Sequence, residues 1–154
     1  RSGAKVGDTI FVSGALGGSY RSRKHLNFTP RIKESQFLVR HFKLTSMIDI
    51  SDGLVLDLSR MLEASNVGSR IYESAIPLSK DAVSVNNALY DGEDYELLFT
   101  MGAKEAEQLY RTALNKIGTP VSLIGEITAK KNGYKIVGAS GKEENLRVKG
   151  YLHF

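Results

Sequence analysis

Apolar positions along this chain alternate between two periods. "TIFVSG" puts Ile10 and Val12 on one side of an extended segment that Gly14 stops, and "SMIDIS", "GSRIYES" and "DYELLFTM" are further predicted strands. "GLVLDLSRMLEAS" instead spaces Leu54, Val55, Leu58, Met61 and Leu62 by threes and fours, which predicts an amphipathic helix with Ser51 or Asp52 as N-cap and a stop near Asn66 and Gly68. "AKEAEQLYRTALNKIG" carries the clearest helical stripe, through Ala106, Leu109, Tyr110, Ala113, Leu114 and Ile117, with Gly118 just beyond it. "ESQFLVRHF" predicts a short helix and "SKDAVSVNNALY" a helix opened by Ser79. "VSLIGEIT" and "GYKIVGAS" read as a strand pair around the polar turn "AKKNG". The predicted fold is α/β (α+β), a mixed sheet packed by helices, in one domain over residues 1–154.

Composition narrows the chemistry. The 154 residues are 42% hydrophobic and 25% charged, ordinary for a soluble domain with its own core. With no cysteine there is neither a disulfide framework nor thiolate chemistry. Apolar runs are short and "RSGAKVGD" lacks a signal-peptide core, so a cytoplasmic location away from membranes is expected. The net charge of +4 is concentrated in "RSRKHLNFTPRIK". Without a nucleic-acid-binding signature, a solvated loop is the preferred reading there over nucleic-acid binding.

Two acidic stretches break the apolar pattern. In "MIDISDGLVLDL" a strand ends at Asp49 and turns through Ser51, Asp52 and Gly53 into a helix. Asp49, Ser51 and Asp52 suit Mg²⁺, a hard cation that takes one or two carboxylates with phosphate oxygens and water. Capping by Ser51 and Asp52, with Asp49 paired to a Lys or Arg, is the commoner use of these residues. "DGEDYEL" sets Asp91, Glu93, Asp94 and Glu96 at a second strand mouth. Such a run is ordinarily a solvated turn, but two strand mouths of this kind can meet. "GALGGSY" has glycines without the following Lys of a phosphate loop, and His25, His41 and His153 show no metal-ligand spacing.

"IDISDGL" followed by "GEDYELLFT", with "GAKVGDTIFVSG" upstream and "KGYLHF" at the end, resembles in order the C-terminal half of the bacterial thiamine-monophosphate kinases. That family belongs to the superfamily of aminoimidazole ribonucleotide synthetase-related enzymes. The resemblance implies a C-terminal α/β domain that works with an N-terminal ATP-binding domain, absent from this chain, in a dimer with the nucleotide site at the junction. It implies transfer of the γ-phosphoryl group of ATP to thiamine phosphate with Mg²⁺. On this chain it implies ATP contacts at Arg1 and Ser51, metal binding at Asp49 and Asp52, and thiamine phosphate contacts at Glu93 and Tyr151. Without it, Tyr151 reads as a residue packed on a terminal strand. The chain departs from the family twice: only "RSRK" stands where a further helix of about fifteen to twenty-five residues is usual, and Gly18 replaces a frequent Asp. Another ATP-dependent enzyme of the superfamily, or a non-catalytic ligand-binding module, is the alternative.

Overall fold

The computed structural model describes residues 1–112 and 116–148. Its strands are β1 (Thr9–Ser13), β2 (Leu44–Asp49), β3 (Gly68–Tyr72), β4 (Leu97–Met101), β5 (Val121–Thr128), β6 (Tyr134–Val137) and β7 (Glu143–Asn145), and they form one sheet in the order β2-β4-β1-β5-β3-β6-β7. Every neighbouring pair is antiparallel except β3 and β6. The helices are α1 (Ser19–Ser22), α2 (Ile32–His41), α3 (Leu54–Ser65), α4 (Val85–Tyr90) and α5 (Ala103–Thr112).

Side-chain alternation sorts the sheet into two covered faces. Ile10 and Val12 of β1 join Leu98, Ile71 and Ile124 beneath Leu54, Leu58, Met61 and Leu62 of α3 and Leu89 of α4. Phe11, between them in sequence, points the other way and joins Phe99, Met101, Leu38 of α2 and Leu109 of α5. Phe11 and Phe99 stack with centroids 5.3 Å apart. Each fully buried Leu or Phe contributes about 1.5–3 kcal/mol, so the two cores clamp β1 and β4, whose side chains are nearly all buried, from both faces.

Three expectations are corrected. The strands β5 and β6 do not pair with one another; β3 lies between them, antiparallel to β5 and parallel to β6. Gly68 makes this possible, because a Cβ there would stand 2.5 Å from the Gly133 carbonyl oxygen of the connecting turn. The helix expected from Ser79 begins at Val85, with Ser84 and Asn87 forming a capping box. The Ser79 hydroxyl instead accepts the Asp81 and Ala82 N–H groups in a local turn. The stripe of α5 is confirmed for Ala106 and Leu109, and Ile117 beyond the helix joins the same core, whereas Tyr110 is 45% exposed with its ring 6.0 Å from that of Phe11, and Ala113 and Leu114 lie outside the described residues.

Candidate functional site: two acidic loops laced together

The loop after β2 is shaped from within. Gly53 adopts φ 106° and passes so close to residues 90 and 91 that a Cβ would lie 3.1 Å from both the Tyr90 and Asp91 carbonyl oxygens. The N-cap of α3 is Gly53, with no side-chain cap, so the expectation that Ser51 or Asp52 caps the helix is not met. The capping runs in reverse. Asp57, in the first turn of α3 and fully buried, accepts the Ser51 and Asp52 N–H groups at 2.9 and 2.8 Å. A carboxylate in that position also meets the positive end of the helix dipole. Burial pushes the Asp57 carboxyl up from the ordinary carboxylate range, opposed by the Asp52 N–H, by Arg60 and by the Ser51 N–H. Arg60 reaches back one turn and donates through Nη1 to Asp57 at 2.7 Å and also to Asp52. Asp49, at the end of β2, is exposed and makes no hydrogen bond through its side chain among the described residues.

The second acidic loop is pinned by its alternate residues. Asp94 and Glu96 are both 1% exposed, so they are not part of a solvated turn. Asp94 accepts the Gly17 N–H at 2.9 Å and the Ser19 hydroxyl. With the Gly18 N–H directed at Asp91, 3.4 Å away, the glycine-rich "GALGGSY" turns its amides toward the protein's own carboxylates instead of leaving them for a phosphate. Burial pushes the Asp94 carboxyl up, against the Ser19 and Gly17 hydrogen bonds. Glu96 accepts from Arg31 Nε and Nη2 at 2.7 Å each, from Lys24 Nζ at 2.9 Å and from Ser13 Oγ at 2.7 Å. Burial pushes its carboxyl up, but Arg31, Lys24 and Ser13 outweigh that and hold it below its ordinary range. The basic segment is therefore not simply a solvated loop, since two of its cations are turned onto Glu96.

These loops meet. The Glu93 N–H donates to the Ser51 carbonyl at 2.7 Å, the Tyr95 N–H to the Ile50 carbonyl at 2.8 Å, and the Ile50 N–H to the Glu96 carbonyl at 2.8 Å. Glu93 and Tyr95 hold positive φ angles of 65° and 53°, a conformation costing a non-glycine residue about 1 kcal/mol or more and kept only where surroundings enforce it. The straps and the buried Asp94 and Glu96 supply that enforcement. The Tyr95 ring stacks on Phe28, centroids 4.0 Å apart. Burial raises the Tyr95 phenol, and the charges of Glu93, Asp49 and Asp52 raise it further, so three of the predicted site acids act on one hydroxyl.

Glu93 lines a cavity of about 190 Å³ with Tyr20, Tyr90, Asp91 and Gly92. A larger cleft of about 670 Å³ opens at Glu96, Lys24, Arg31 and Ser79, and takes in none of Asp49, Ser51, Asp52 or Glu93. The Arg1 backbone is docked on β2 through its carbonyl, which accepts the Ser46 hydroxyl at 2.7 Å. Tyr151 lies outside the described residues. Among the described residues, no group of three or more His, Cys, Asp or Glu is arranged to hold a metal ion. Asp49 and Asp52 nevertheless fit Mg²⁺ as a hard oxygen pair, because that ion takes most of its ligands from phosphate and water. The sequence pattern did not single out Asp57 and Arg60, although Asp57 is a charged residue on the inward stripe of α3, a signal available to inspection.

A sheet with helices on both faces, and two strand-end loops carrying these acids, defines a family. The model of the AIR synthase related protein, C-terminal domain, matches residues 5–138, and the chain belongs to that family. Within it, the chain is 36% identical over 162 residues to the thiamine-monophosphate kinase of Rhodopirellula baltica, covering 99% of this chain and 50% of the relative. It is likewise 36% identical to the thiamine-monophosphate kinase of Escherichia coli K12, covering 100% of this chain and 54% of the relative. Among solved structures it is similar to AaThiL complexed with AMPPCP and TMP, with a TM-score of 0.78 and 27% identity, covering 100% of this chain and 53% of that one. The chain thus spans about half the length of the curated relatives it matches. Its alignment with the Escherichia coli kinase runs over 182 positions against the 154 residues here, so the relative carries residues inside the matched span that this chain lacks.

Proposed function

We propose that this chain is the C-terminal domain of a thiamine-phosphate kinase, which transfers the terminal phosphoryl group of ATP to thiamine phosphate and yields thiamine diphosphate and ADP. The observation that carries this reading is the lacing of residues 50–51 to residues 93–96 by backbone hydrogen bonds, which joins the loop that follows Asp49 and holds Asp52 to the loop that holds Glu93. In this reading Asp49 and Asp52 hold Mg²⁺, Arg1 and Ser51 contact ATP, and Glu93 and Tyr151 contact thiamine phosphate. Bound Mg²⁺ would neutralise charge on the polyphosphate. The phosphate oxygen of the substrate attacks the γ-phosphorus directly as the bridging bond to ADP breaks, so no protein nucleophile is required. The strapped loops fix the separation of the acids before ligands arrive, the kind of positioning on which phosphoryl transfer depends.

The proposal places this chain beside an N-terminal ATP-binding domain, in a cytoplasmic homodimer. By itself the 154-residue chain is expected to form no thiamine diphosphate, since the kinases it matches are about twice as long. In a two-domain enzyme carrying this chain, Asp49→Asn and Asp52→Asn should each lower turnover at least tenfold, because metal neutralisation contributes several kcal/mol to such transition states. Steady-state kinetics with circular dichroism as a fold control decide it; normal turnover in either variant removes that residue from the site.

A further inference from the structure

Arg60 belongs to none of the roles assigned above, yet its position gives it leverage over them. Its Nη1 donates to two carboxylates, Asp57 and Asp52. Asp57 is fully buried and shapes the loop through the Ser51 and Asp52 N–H groups. Asp52 is one of the two acids proposed to receive a divalent cation. The Arg60 side chain keeps 37% of its surface exposed, so it has room to swing away from Asp52 while staying anchored near the helix.

We infer that Arg60 is a built-in counter-ion for Asp52: it keeps the acidic loop in its binding conformation before metal arrives and lowers the loop's affinity for divalent cations. This rests on the reading of Asp49 and Asp52 as metal-binding residues. A cation entering there has to share Asp52 with the Arg60 guanidinium or displace it, and the repulsion between them weakens binding. Arg60 is thus a positioning residue, and its charge, more than its packing, sets the metal affinity.

The test is a titration of the purified chain with Mn²⁺, following the free ion by electron paramagnetic resonance. Arg60→Gln should bind Mn²⁺ about tenfold more tightly than the unaltered chain, an order of magnitude expected from removing one partly solvated charge beside the ion. Arg60→Lys, which keeps the charge, should stay near the unaltered value. Equal or weaker Mn²⁺ binding by a folded Arg60→Gln chain overturns the inference. Should Arg60→Gln not fold, the neutral pair Asp57→Asn, Arg60→Gln is compared with Asp57→Asn alone, and the same tightening is expected; its absence again overturns the inference. Mn²⁺ binding that Asp49→Asn abolishes but Arg60→Gln leaves unchanged sinks this inference and keeps the metal site. Absence of Mn²⁺ binding in every form sinks both.

Discussion

The two acidic loops solve the same electrostatic problem over different distances. After β2, the buried carboxylate of Asp57 is satisfied by Ser51, Asp52 and Arg60, all within six residues of it. Before β4, the buried carboxylate of Glu96 is satisfied by Ser13, Lys24 and Arg31, which lie 83, 72 and 65 positions away. The reverse cap of the first loop is a local device that α3 carries with it. The second exists only when β1, the basic segment and β4 have all come together. Hence Asp52 rests on a helix turn, whereas Glu93 and Tyr95 rest on the assembled core.

Removing the long-range anchor should have the largest effect. Breaking a buried ion pair costs about 3–5 kcal/mol. The lower end applies to Glu96→Ala, because Lys24 and Arg31 keep 30% and 20% of their side-chain surface and can turn to water. Urea denaturation should report a loss of about 3 kcal/mol, and a loss below about 1 kcal/mol would place Glu96 with ordinary surface pairs. Asp57→Ala should cost less, about 1–3 kcal/mol, since it orphans two half-buried N–H groups but leaves Arg60 its contact with Asp52. If the two losses are reversed, the distinction between local and long-range anchoring is wrong.

Acidity sharpens the comparison further, because the two carboxyls are shifted in opposite directions. Glu96 is held below its unfolded value, so its contribution is fully present above the usual glutamate range and is lost as pH falls through the lowered value. Asp57 is raised, so its contribution is greatest when it is protonated at low pH and diminishes as pH rises through the raised value. Denaturation at several pH values should therefore show the stability gap between unaltered protein and Glu96→Gln closing toward acid. The corresponding gap for Asp57→Asn should move the opposite way. The smallest expected effect is at the stacked pair: Phe28→Ala should cost about 0.5–1.5 kcal/mol beyond its buried area, with a matching change in Tyr95 fluorescence that is missing if the stack carries nothing.

The two loops also differ in how far their structure was legible. The amphipathic stripe of α3 and the turn at Gly53 are local patterns, and both were readable, as was the stop at Asn66, whose left-handed conformation ends the helix. The reverse cap was not: Ser51 and Asp52 have the composition of an N-cap, but Asp57 takes their N–H groups and Gly53 occupies the capping position. Ser79 misled in a similar way. Its hydroxyl lies against the Gly17 carbonyl and closes a turn at residues 81 and 82, which leaves Ser84 to start the helix.

What the chain determined by itself is what acts within one turn or one strand: the alternation that faces Ile10 and Val12 one way and Phe11 the other, the three-and-four spacing of α3, and the placing of acids at two strand ends. Tertiary structure decided which strands became neighbours. It put β3 between β5 and β6 against a local turn signal, because Gly68 lets the turn at residue 133 fold over it. It also decided which charges are buried. Glu96 and Asp94 look no different from Glu93 in sequence, and only the approach of Arg31, Lys24, Ser13, Ser19 and Gly17 makes their burial bearable. A carboxylate's surroundings, and hence its role, are set by groups that sequence proximity does not identify.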